Sequence, residues 1–348
     1  MSKFFSSKLS SLTPYVPGEQ PKDMRYVKLN TNESPFSPSK KTIKVAQKVL
    51  KNLNLYSDPE MTKLRQTASK VLGVNKDNIV FTNGSDEVLN FAFMAYGEKG
   101  IVFPDITYGF YPVFATLNGI EFSTIALKED FSIDYKDYLN LNKTIVIANP
   151  NAPTGKILPL DQIEEIVKQN SSVVIIDEAY IDFGGESAIK LTEKYDNLLV
   201  VQTFSKSRSL AGARLGFAVG NEKLIADLNT LRYSTNPYNV NSTTLALGIG
   251  AIEDNEYYKN NCKIIESNRE YLTKKLIELN FEVIPSKANF VFARHEKLSG
   301  EEIYIKLKQK GVLVRHFDKE KINNYNRITI GEKKQIDTLI EKLIEILE

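Results

Sequence analysis

A chain of 348 residues, 42% hydrophobic and 25% charged, is long enough for two domains and has the make-up of an ordinary globular protein. Its formal net charge of +2 excludes a strongly basic nucleic-acid binder, and its one cysteine, Cys262, excludes an internal disulfide and fits a reducing compartment. The two histidines, His295 and His316, show no metal-ligand spacing, the start MSKFFSSKLSSL lacks a signal-peptide core, and no apolar run approaches the roughly 20 residues that span a bilayer, so a cytoplasmic protein without metal, nucleic-acid or membrane partners is expected.

In chain order, residues 1–27 carry turn residues (PYVPGEQP) and no periodicity, and read as an N-terminal arm packing on the small domain. Short apolar runs follow at 78–84, 100–105, 121–127, 144–150, 172–180, 197–204 and 216–220. Several are apolar on consecutive residues, the mark of strands buried on both faces. Helical patterns fit between them at Ser85–Tyr96, Tyr108–Asn118, Leu160–Lys168 and Ala188–Tyr195. Such alternation predicts an α/β fold, a mostly parallel sheet sandwiched by helices, over a large domain of residues 28–250. From 251 to 348 the character changes. One long helical segment, about Glu253–Leu279, precedes the strand candidates FEVIPS, NFVFAR, GVLVRHF and RITIG and a terminal helix, which together read as a smaller α+β domain.

Ligands of such sheets bind beyond the carboxyl ends of the strands. The polar clusters NGSDE, NPNAPTG, DEAY and SK fall there. Asp177 ends a run of aliphatic residues, where an unpaired carboxylate is costly to bury. Lys206 stands just past the end of the next strand, so side-by-side strands would bring acid and amine to one pocket. Arg214 and the backbone amides after Gly84, at the start of a helix, could hold a phosphate. Acid, amine and phosphate cradle suit pyridoxal 5′-phosphate, whose aldehyde needs a lysine, whose ring nitrogen needs a carboxylate, and whose phosphate needs a helix end and an arginine.

Eleven segments, LTPYVPG, LNTNESP, LYSDP, NGSDE, PDITYGFY, NPNAPTG, DEAYIDF, TFSKSRSLAGARLGF, PYNVN, GVLVRHF and RITIG, occur in the order and spacing of one family. The chain resembles the fold-type I pyridoxal-phosphate aminotransferases, most closely those that act on histidinol phosphate. The resemblance implies that Lys206 holds the cofactor aldehyde and then serves as the base for the α-proton. It implies that Asp177 pairs with the ring nitrogen, Tyr180 with the ring 3-oxygen, and Tyr108 stacks on the ring, with Phe110 or Tyr111 as core neighbours. Ser85, Asp86, Ser205 and Arg214 would form the phosphate cup. Tyr56 would reach the phosphate of a neighbouring subunit, which makes the protein a homodimer with a composite site. One departure stands out. The family's ring-contacting asparagine is replaced by Ala152, so the second bond to the ring 3-oxygen falls to Asn151 through a shifted backbone, or to Tyr180 with a water.

On the substrate side the resemblance places Arg327, Arg315, Tyr15 and Asn32 around an anion, either a phosphomonoester or a carboxylate, both suited to a guanidinium fork. The implied reaction is L-histidinol phosphate plus 2-oxoglutarate giving imidazole acetol phosphate plus glutamate. A threonine-phosphate decarboxylase or an aromatic amino-acid aminotransferase of the same fold would keep the same cofactor residues. No G-x-G-x-x-G, G-x-x-x-x-G-K-[ST] or G-x-S-x-G motif points to another class of enzyme.

Overall fold

A computed structural model describes residues 2–348. Its strands, in chain order, begin with β1 (Val27–Lys28), β2 (Ile79–Thr82), β3 (Ile101–Pro104) and β4 (Phe122–Ile125). Next come β5 (Thr144–Ala148), β6 (Val174–Asp177), β7 (Leu198–Thr203) and β8 (Gly216–Gly220). The last five are β9 (Phe281–Ile284), β10 (Phe290–His295), β11 (Val312–Leu313), β12 (Arg315–His316) and β13 (Asn326–Thr329).

The seven strands expected between residues 78 and 220 all form, in one sheet of order β2-β8-β7-β6-β5-β3-β4. Only β8 runs antiparallel to its neighbours. Side chains alternate across the pleat, so Ile145, Ile147, Ile176 and Val200 enter one core while Val146, Ile175, Leu199 and Val201 enter another on the opposite face. That two-sided burial is why these strands are apolar without interruption. The edge strand β4 alternates between exposed and half-buried residues.

A separate sheet, β12-β13-β10-β9, is wholly antiparallel. Leu272 and Leu276 of the helix Asn255–Glu278, Leu307 of Gly300–Gln309 and Leu339 of Lys333–Leu347 cover it and share its core with Phe290 and Ile328. The two-residue β1 pairs in parallel with β11, which carries Leu29 into this second core. No helix among the described residues is long and apolar enough to cross a membrane.

Helices Ser85–Tyr96 and Leu160–Lys168 have the bounds expected from the sequence. The helix expected from Tyr108 begins instead at Tyr111, with Pro112 in its first turn, and Tyr108 lies in the loop that leaves β3. Proline is tolerated only where its missing N–H leaves no helical bond unmade. The expected helix at 188–195 is a 3-10 helix, Ala188–Glu193. The long helical segment starts two residues later than expected, at Asn255. Asp254, at φ −107° and ψ 41°, separates Ser242–Glu253 from Asn255–Glu278.

Candidate active site

The phosphate-side geometry is made by two glycines. Gly84, at φ +84°, ends the turn after β2 and starts the helix Ser85–Tyr96, which no side-chain hydrogen bond caps among the described residues. Gly216 opens β8 opposite Thr82, and a Cβ there would overlap the backbone nitrogen of Ser85. The helix start therefore lies against β8 with its first amides uncovered, an arrangement suited to an anion. Arg214, in the left-handed region at φ 53°, turns its Nη2 to within 2.9 Å of Asp86 Oδ2. A Cβ on Gly84 would come to 2.6 Å from that Nη2. The Tyr108 hydroxyl donates to the other Asp86 oxygen at 2.8 Å.

At the opposite end, Asp177 closes β6 with its carboxyl almost fully buried. Its Oδ1 accepts from the Ala179 amide at 3.2 Å and its Oδ2 from the Tyr111 hydroxyl at 2.8 Å. Burial nevertheless pushes its carboxyl up to about 6. Lys206, three residues past β7, lies between the two ends. Its Nζ donates to the Thr31 carbonyl at 3.2 Å and sits 5.8 Å from the centre of the Tyr180 ring. Burial, with the charge of Arg327 next in weight, lowers its amine to about 8. The Tyr180 hydroxyl accepts from Asn32 Nδ2 at 3.0 Å, and burial raises its pKa.

Ser85, Asp86, Tyr108, Asp177, Tyr180, Ser205, Lys206 and Arg214 all line one cavity of about 380 Å³. A second cavity, of about 620 Å³, shares Tyr108 and Ala152 with the first and contains Tyr15, Arg315 and Arg327. Arg327 lies opposite Phe292 on the ladder to β10 and opposite Arg315 on the ladder to β12. Its Nη2 donates to the Asn30 carbonyl at 3.1 Å, while its buried Nε has no partner among the described residues. Arg315 donates to the carbonyls of Pro17 and Val16 at 3.3 and 3.2 Å. Tyr15 stacks on Phe110 with centroids 4.3 Å apart. The arm thus forms a wall of the second cavity.

Three expected site residues are not in these cavities. Asn151 is a correction: its Nδ2 donates to the Ile106 carbonyl at 2.9 Å and to Thr154 Oγ1 at 3.1 Å, and its Oδ1 accepts from Thr107. Those bonds consume its side chain in shaping the loop, and the wall is Ala152. Asn32 is a second correction. It sits behind the wall, joining Tyr180 to Thr329 of β13 through Nδ2 and Oδ1, while its neighbours Thr31 and Glu33 line the cofactor-sized cavity and Asn30 the larger one. Tyr56 is 82% exposed, stacked on Tyr238 at 4.4 Å, and lies outside both cavities. The sequence reading missed Glu19, whose carboxylate meets Tyr304 at 2.6 Å and pairs with Lys308, fastening the arm to the small lobe. Nothing in PGEQP singles that residue out. Tyr111, expected as a core neighbour, also reaches Asp177, and its place three residues after Tyr108 in PDITYGFY is the one signal for it in the sequence.

The donor set fits an elongated ligand that is anionic at one end and cationic at its ring, with an aldehyde between. Comparison with known proteins agrees with that chemistry. The sequence profile described as aminotransferase class I and II matches residues 25–343. Histidinol-phosphate aminotransferase of Brachyspira hyodysenteriae is 51% identical over 100% of both chains, and that of Clostridium botulinum strain Kyoto is 45% identical over 100% of this chain and 99% of its own. The crystal structure of histidinol-phosphate aminotransferase from Sinorhizobium meliloti, in complex with pyridoxal-5′-phosphate, superposes with a TM-score of 0.91 at 23% identity, covering 100% of this chain and 98% of its own. By sequence over nearly its whole length, the chain belongs to the class I and II aminotransferases.

Proposed function

We propose that the protein is a cytoplasmic, homodimeric histidinol-phosphate aminotransferase, taking the amino group of L-histidinol phosphate and delivering it to 2-oxoglutarate. The family's cofactor is pyridoxal 5′-phosphate. When bound, it supplies an aldehyde that captures the amine and a ring that accepts the electrons of the α-carbon. The observation that carries the reading is the adjacency of two cavities that share Tyr108 and Ala152 as walls, one lined by Lys206 and Asp177, the other by Arg327 and Arg315.

The positions of the side chains support the following roles. The uncovered amides of Ser85 and Asp86, with Ser205 and Arg214, hold the phosphate. Asp177 would hold a proton on the ring nitrogen, and Tyr180 would donate to the ring 3-oxygen while Asn32 steadies the tyrosine. Tyr108, tied to Asp86, would cover the ring. Lys206 is buried with an amine that loses its proton near pH 8, so its Nζ can take the α-proton and return it. Arg327, with its unpartnered Nε, meets the carboxylate of 2-oxoglutarate or the phosphomonoester of the amine donor. Arg315 and Tyr15 close the phosphomonoester end, where the arm excludes water. In this reading residues 1–27 form the arm, 28–250 the large domain and 251–348 the small one.

The test is a half-reaction without keto acid. Holoenzyme is mixed in turn with histidinol phosphate, phenylalanine and threonine phosphate, and cofactor absorbance and products are followed. Histidinol phosphate is expected to convert the cofactor to its amine form with release of imidazole acetol phosphate. Carbon dioxide from threonine phosphate, or faster conversion by phenylalanine, would overturn the substrate assignment.

A further inference from the structure

We infer that Tyr111 is a positioning residue that acts on the cofactor through Asp177, holding that carboxylate ionised and aimed at the ring nitrogen. The inference rests on the cofactor reading above and adds a residue that never touches the cofactor cavity. Tyr111 is fully buried at the start of the helix Tyr111–Leu117, and its hydroxyl donates 2.8 Å to Asp177 Oδ2. Its ring is held by Phe103 at 5.7 Å, Phe93 at 6.2 Å and Tyr108 edge-on at 5.6 Å. A hydroxyl locked in that apolar nest has one polar partner among the described residues, and that partner is the acid at the end of β6.

The electrical surroundings of Asp177 make the bond consequential. Asp86 faces it from the helix Ser85–Tyr96 and opposes its ionisation, while Lys206 faces it from the loop after β7 and favours it. Tyr180, a neutral phenol at neutral pH, faces it from the loop after β6, and the Ala179 amide supplies the only other hydrogen bond among the described residues. Burial raises the carboxyl to about 6 even with both donors present. Removing the phenol leaves one donor to offset the same burial, so the acid would hold its proton to higher pH. A protonated Asp177 cannot pair with a protonated ring nitrogen. Cofactor affinity must therefore weaken below the pKa of Asp177 in the empty protein.

The experiment measures the dissociation constant of pyridoxal 5′-phosphate from apoprotein by equilibrium dialysis between pH 5 and 8.5, for wild type, Tyr111→Phe and Tyr111→Phe in an Asp177→Asn background. Tyr111→Phe is expected to move the acid limb of binding up by about one pH unit and to weaken binding about fivefold at pH 6 and about tenfold at pH 5, with little change at pH 8.5. In the Asp177→Asn background the Tyr111→Phe change should leave the limb where it is. A uniform loss of affinity at every pH would assign Tyr111 a packing role and overturn the inference, as would an unmoved limb. Should Tyr111→Phe not fold, 3-fluorotyrosine placed at position 111 keeps the ring and strengthens the donor, and the limb should then move down. An upward or absent shift there also overturns it. Wild-type apoprotein that does not bind pyridoxal 5′-phosphate would instead refute the cofactor reading itself.

Discussion

Lys206 is the residue whose chemistry depends most on its surroundings. A lysine in water holds its proton to above pH 10, and one that must attack an aldehyde and then take a proton from carbon is of little use in that form. Here burial lowers the amine to about 8, and Arg327 on the facing lobe pushes in the same direction, against Glu33 and Asp86. The free-base fraction at neutral pH is thus raised by about two orders of magnitude over an ordinary lysine. Capture of pyridoxal 5′-phosphate by apoprotein, followed in stopped flow, should speed up through pH 8 and level off above it. Arg327→Ala removes a neighbouring cation, which favours the ammonium form, so its inflection should lie higher and its rate at pH 7 lower. An inflection unmoved by Arg327→Ala would mean that the two side chains do not sense each other. At this scale the sequence was informative for residues whose chemistry is rare, such as a lysine and an acid at adjacent strand ends. It was misleading for Asn151 and Asn32, because an amide can serve backbone, side chain or ligand equally well and only the folded structure shows which.

At the level of elements, Glu178 shows how the site is framed. It follows Asp177 directly but points the other way, accepting from Ser187 Oγ at 2.5 Å, the Ala188 amide at 2.6 Å and Gln202 Nε2 at 2.8 Å. One side chain thereby ties the end of β6 to β7 and to the 3-10 helix Ala188–Glu193. Burial outweighs those three donors and raises its carboxyl from 4.5 to about 7. A carboxyl raised on folding binds its proton more tightly in the folded state, so its stabilising contribution is full below pH 4.5 and fades as pH rises to 7. The shift corresponds to about 3 kcal/mol. In Glu178→Gln the amide oxygen can serve Ala188 and the amide nitrogen Ser187, without titrating. Urea unfolding at pH 5 and pH 7.5 should show wild type losing about 2 kcal/mol more than the variant over that range. Equal losses would contradict the assignment. Elements carried by a two-sided apolar run were legible from the sequence, whereas the helix Ser242–Glu253 was not. STTLALGIGAIE is apolar all round, with glycines that lower helix propensity. Those glycines serve packing, since a Cβ on Gly250 would come to 2.8 Å from the Cα of Thr42 in the helix Lys40–Gln47, and one on Gly248 to 2.5 Å from Leu215. Contact of that kind has no signature in a periodicity.

Over the whole molecule, the two lobes and the arm meet around the two adjacent cavities, and one expected contributor stands apart from them. Tyr56 is held against Tyr238 with planes 19° apart, beside Leu50, Leu53 and Leu55, all of them large and exposed. The anchoring of this segment is local, through Ser57 Oγ to the Val240 carbonyl at 2.7 Å. Apolar surface of this kind is what a second copy would cover. Tyr56 lines neither cavity of its own chain, so a role at the phosphate requires the site of a partner subunit, the composite arrangement that the family resemblance implies. Complementation discriminates between this and a purely structural tyrosine. Tyr56→Ala homodimers should bind cofactor weakly, and Lys206→Ala homodimers should be inactive. A mixed dimer contains one site with Lys206 from the first chain and Tyr56 from the second, intact in both. Random reassortment of equal amounts should then recover up to about a quarter of wild-type activity. The recovery should follow the rate of subunit exchange and disappear when the two variants are mixed too briefly to exchange. Mixed dimers seen by native mass spectrometry but no more active than the parents would place Tyr56 outside the chemistry, as a residue of the interface alone.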